Sequence, residues 1–83
     1  MGRPKVSDEL LGIVVLLAGR GSYLAEHRGR YLLVLMEECR TIRVNPRRGH
    51  SMIVRELVEQ KGEKDGSKIY TLSPKGLKMA EGR

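Results

Sequence analysis

Residues 8–18 open with the acids Asp8 and Glu9 and continue as LLGIVVLLA, apolar almost all round, until Gly19-Arg20-Gly21 interrupts the run. A hydroxyl at Ser7 followed by two acids is a helix-start pattern. The side-chain oxygen satisfies a free N–H, and the acids face the positive end of the helix dipole. A helix over 8–18 is predicted. Since a surface helix shows a single apolar stripe, this one either lies centrally in the core or meets a second copy of the chain. A buried strand through Ile13-Val14-Val15 competes, because periodicity alone does not separate the two.

From Ser22 onward, YLAEHRGRYLLVLMEECR sets Tyr31, Leu35, Cys39 and Ile42 at helical spacing, with Glu37, Glu38 and Arg40 opposite them. Gly29 divides the segment into a short turn over 23–28 and a predicted helix over 30–40. Cys39 is expected as a small core residue and His27 in solvent. Asn45-Pro46 is the next helix start, an Asn cap with Pro where its missing N–H costs nothing. The helix it opens is predicted to run to Gly62. Ile53, Val54, Leu57 and Val58 form its apolar stripe, with His50 on the same side. Residues 52–60 as a strand leading into a hairpin remain open.

Asp65-Gly66 is a two-residue hairpin turn, setting Glu63 opposite Lys68 and Lys61 opposite Tyr70. Alternation over 68–72 puts Tyr70 and Leu72 on one face. Ser73 then caps a last helix with Pro74 at its first position and Leu77 and Ala80 inward. The organisation expected is a flexible basic arm over 1–6 and one domain over 7–83, since 83 residues support one modest core.

Charge turns this outline toward function. Sixteen Lys and Arg against ten Asp and Glu leave +6, which favours a polyanionic partner. All eight basic residues from Arg20 to Arg55 are Arg, whereas five of the last six are Lys. The 17-residue stretch CRTIRVNPRRGHSMIVR carries five arginines and no acid. Guanidinium grips phosphate or a guanine edge in two places at once, and ammonium acts as a point charge. Arg47, Arg48, Ser51 and Arg55 on one helix face would suit a DNA groove.

Three tyrosines with no Trp or Phe are a poor stacking platform for single strands, so duplex DNA is the better partner. His27, His50 and Cys39 lack metal-site spacing, and no nucleophile or phosphate-loop signature appears. The protein is therefore expected not to be an enzyme and to need no cofactor or metal. With no apolar run of about 18 residues and no leader pattern, it is expected in the cytoplasm, associated with the nucleoid.

DGSKIYTLSPKGLKMAE, residues 65–81, resembles the wing and final helix of MarR- and PadR-type transcriptional regulators. There a Tyr-x-Leu-Thr/Ser strand runs into a Pro-Lys-Gly helix start; here these are Tyr70, Leu72, Ser73, Pro74, Lys75 and Gly76. The resemblance implies an α+β, mainly helical winged helix-turn-helix: three helices, a two-stranded β-hairpin wing and a short C-terminal helix. It also implies a recognition helix bearing Arg47, Arg48, Ser51 and Arg55 in the major groove. Arg43, Lys61, Lys64 and Lys68 would then flank it on phosphates. Dimers on palindromic DNA follow, with the over-apolar first helix as the dimer surface. A winged-helix module that binds protein instead of DNA, or an RNA- or ribosome-associated basic protein, are the alternatives.

Overall fold

The structure, a computed structural model, describes residues 8–82; the basic arm expected over 1–6 and the Ser7 cap lie outside them. The expected helix forms as α1, Asp8–Leu17. Beyond it the chain departs from a winged helix. Residues 22–44 make three strands, β1 Tyr23–His27, β2 Arg30–Leu35 and β3 Arg40–Val44, with a short 3-10 turn Met36–Glu38 before β3. Helix α2 spans Pro46–Val54, β4 Val58–Lys64, β5 Ser67–Leu72 and α3 Pro74–Glu81. The strands form one five-stranded antiparallel sheet in the order β3-β2-β1-β5-β4. A mainly helical winged helix with a two-stranded wing is therefore not the fold.

The reason lies in Arg28-Gly29. Both residues take left-handed backbone, φ 52° and 82°, which is the two-residue turn that matches strand twist. Strand pairing starts at once with His27 opposite Arg30. With period 2 imposed, Tyr31, Leu33 and Leu35 are buried while Leu32 is exposed. The helical spacing of Tyr31, Leu35, Cys39 and Ile42 is incidental. Cys39 is not core: it is exposed, at φ 51°, closing the 3-10 turn.

Helix α2 ends sooner than the Gly62 stop. Glu56 is left-handed at φ 61°, Leu57 N–H donates to Met52 O at 2.8 Å and Glu56 N–H to Ile53 O at 3.0 Å. These two bonds are a Schellman closure, and the residues joined by its outer bond, Met52 and Leu57, are both buried. The open question over 52–60 resolves as the end of a helix and the start of a strand. Val54, assigned to the stripe, is 64% exposed, and His50 is exposed as well.

The β4–β5 hairpin turns on Asp65 and Gly66, φ 51° and 81°, with Glu63 opposite Lys68 as expected. Lys61 does not face Tyr70. The register shifts between Gln60 and Gly62, so Gln60 takes that position and Lys61 is the extra residue of a bulge. Ser73 caps α3 through Gly76 N–H at 3.1 Å, but Leu77 points outward at 45% exposure.

All three helices cover one face of the sheet. Leu24, Tyr31, Leu33, Leu35, Val44, Val58 and Tyr70 meet Leu10, Val14 and Leu17 of α1 and Met52 of α2 there. At Gly49 the α2 backbone lies against the Tyr31 ring, where a side chain would collide. No described helix is long and apolar enough to cross a membrane.

Candidate nucleic-acid interface

Because the helices share one face, the other face of the sheet is open. Alternation from the buried positions assigns it Tyr23, Ala25 and His27 of β1, Arg30, Leu32 and Val34 of β2, and Thr41 and Arg43 of β3. Ser67, Ile69 and Thr71 of β5 and Glu59, Gly62 and Lys64 of β4 complete it. Register lines these residues into rows. Arg43, Leu32, Ala25, Ile69 and Gly62 run across the middle, and Arg30, His27, Ser67 and Lys64 run along one end.

That end gathers positive charge for a topological reason. The β1–β2 turn with Arg28, the β4–β5 turn with Lys64, and the exit of β3 into α2 all lie there. His27 Nδ1–H donates to Gly66 O at 3.1 Å, tying the two turns together. Glu26 is occupied by the Gly29 N–H at 2.8 Å. Arg30 and Arg43 line one shallow groove with Leu32 and Pro46, and Arg47 follows one residue later on exposed backbone. Among the described strand residues the one acid on the open face is Glu59, paired with Lys61 at 3.4 Å.

The residues expected to read DNA do not share a surface. Asn45 Oδ1 accepts from Arg47 N–H at 2.9 Å, capping α2 as its sequence suggests, and Arg47 points to solvent. Arg48 turns the other way and pairs with Glu9 of α1. Ser51 is half-buried. Arg55 lies past the end of the helix, beside Lys75 and Lys78 of α3. Of the flanking set, Arg43 and Lys64 are on the open face. Lys68 is on the helix side, between Glu26 and Glu63 in register, and Lys61 is neutralised by Glu59.

Arg28 and Arg30 were missed. Arg-Gly-Arg between an apolar alternation, Arg30 to Leu35, and another strand-like run was the signal that could have found them. Burial pushes the Tyr31 phenol above its ordinary 10.0, with Glu26 and then Tyr70 adding to it; its ring supports α2 at Gly49 and also borders the groove of Arg30 and Arg43. Among the described residues no three His, Cys, Asp or Glu side chains gather as a metal set. No family model, curated protein or solved structure matches the chain.

Proposed function

We propose that the protein binds double-stranded DNA through the basic end of its open sheet face, with Arg28, Arg30, Arg43, Arg47 and Lys64 on phosphates. The observation that carries this reading is the placement of Arg28, Arg30 and Lys64 at the turn end of the open face, with Arg43 one row in from Arg30 and Arg47 just past the exit of β3. Arg43 on β3 and Lys64 on β4 are four strand spacings apart, about 19 Å. The major groove is only about 12 Å wide, so the two margins would reach flanking backbones rather than enter one groove together. Affinity is then chiefly electrostatic and sequence preference modest. Tyr23 is the one tyrosine on this face, which argues against base stacking as the binding mode.

The chain acts as a homodimer through α1, on the nucleoid, as a small regulator of transcription. Leu11, Gly12, Val15 and Leu16 line a groove on the outer side of α1, and Leu16 is 38% exposed. A second α1 laid antiparallel sets Asp8 at one end against Arg20 at the other, a self-complementary arrangement that suits a two-fold axis. The test is binding to a random-sequence duplex at 50 and 200 mM salt. Neutralising about five phosphates predicts a loss of roughly 500-fold. Affinity that is flat across that range would refute the reading.

A further inference from the structure

Arg55 was expected on a DNA-reading helix, and the fold instead delivers it to α3. The Schellman closure turns the chain at Glu56, so that Arg55 ends up in a concavity of about 370 Å³ with Leu57, Lys75, Lys78 and Met79. Three bonds hold the junction in register. Ser73 N–H donates to Leu57 O at 3.0 Å, Ser73 Oγ–H to Glu56 O at 2.6 Å, and Gly76 N–H to Ser73 Oγ at 3.1 Å. Lys75 and Lys78, three apart on a helix, are neighbours on one face. No acid lines the concavity, and none of the three cations is ion-paired among the described residues. It lies at the start of β4, the opposite end of the sheet from the turns that gather Arg28 and Lys64.

We infer that this concavity is a phosphate site, taking a phosphate ester with a flat or apolar substituent, as in a nucleotide. Three like charges held together without a partner repel one another, and an anion among them relieves that repulsion. Arg55 supplies a planar fork for two phosphate oxygens, and the lysines act as point charges beside it. Leu57 and Met79 form an apolar floor on which a ribose or a base edge can rest. The source is either a free nucleotide or a nucleic-acid backbone, and both present this chemistry.

Amide chemical shifts of the full chain test it, at constant ionic strength, with adenosine 5′-monophosphate, adenosine and the dinucleotide d(TpT) as separate probes. The monophosphate is expected to move the amides of Arg55, Leu57, Lys75, Lys78 and Met79 saturably, and adenosine to leave them in place. A response to d(TpT) at the same amides assigns the site to backbone phosphate; a response to the monophosphate alone assigns it to a free nucleotide. The exposed double substitution Lys75→Gln/Lys78→Gln should weaken monophosphate binding at least about tenfold with the thermal midpoint unchanged. Shifts that miss these amides with both phosphate probes, or wild-type binding by the double variant, would overturn the inference. Neither result touches Arg28, Arg43 or Arg47, so duplex binding stands or falls separately.

Discussion

Gly76→Ala sets helix propensity against packing, and the structure decides the sign. On propensity alone alanine gains up to about 1 kcal/mol over glycine in a helix. A Cβ built at Gly76, however, falls well inside contact distance of the Leu57 carbonyl oxygen. It also comes within 2.9 Å of Leu72 Cδ2 and 3.1 Å of the Leu57 carbonyl carbon. The obstacle is backbone, and it is held: Leu57 O accepts from Ser73 N–H, and Gly76 N–H is itself the donor to the Ser73 cap. The side chain therefore cannot be accommodated by a rotamer change. α3 must lift from β4, at the upper end of overpacking costs, about 3 kcal/mol. The net loss is about 2 kcal/mol, a fall of roughly 8–16 °C in thermal midpoint for a domain of this size. Circular dichroism at 222 nm on heating, with urea titration for the free energy, measures it. Gly12→Ala is the control. Its Cβ meets nothing within 4 Å, so the same substitution should there stabilise by about 0.5–1 kcal/mol. It is best measured in a Leu16→Glu background, so that association does not enter. A Gly76→Ala midpoint at or above wild type would refute the account of the α3–β4 junction.

Leu16→Glu should convert a dimer to a monomer in sedimentation equilibrium while leaving the circular dichroism spectrum unchanged, because Leu16 lies on the outer side of α1. Arg47→Ala should lower duplex affinity at every sequence and reduce the salt slope by about 1. Arg48→Ala, whose guanidinium is engaged by Glu9, should leave the slope unchanged and cost at most about 1 kcal/mol of stability; filter binding across salt separates the two. The Tyr31 phenol is raised above 10.0 in the fold, so the unfolded chain gives up this proton first. Its contribution is complete below pH 10 and is lost as pH rises through the folded value. Urea midpoints at pH 9 and pH 11 should therefore fall further for wild type than for Tyr31→Phe.

Local chemistry determined the parts of this protein whose signals are short. The α1 span, the Asn45-Pro46 start of α2, the Asp65-Gly66 turn and the Ser73-Pro74 start of α3 are all legible in the sequence. In the last three, a cap or turn residue acts within three positions of itself. Residues 22–44 were misread because an apolar run such as RYLLVLM satisfies period 2 and period 3.6 equally well. Only pairing with β1 on one side and β3 on the other selects the strand.

The same limit governs the surface. Clustering of arginines over 39–55 and the net charge of +6 belong to the sequence. Which of those arginines act together depends on sheet register and on where α2 stops. Arg43 and Arg30 become neighbours through strand pairing, Arg48 is drawn to α1 by Glu9, and Arg55 is carried to Lys75 and Lys78 by a left-handed Glu56. Charge is a property of residues, whereas a binding surface is a property of long-range contacts. Only the tertiary structure decided those contacts.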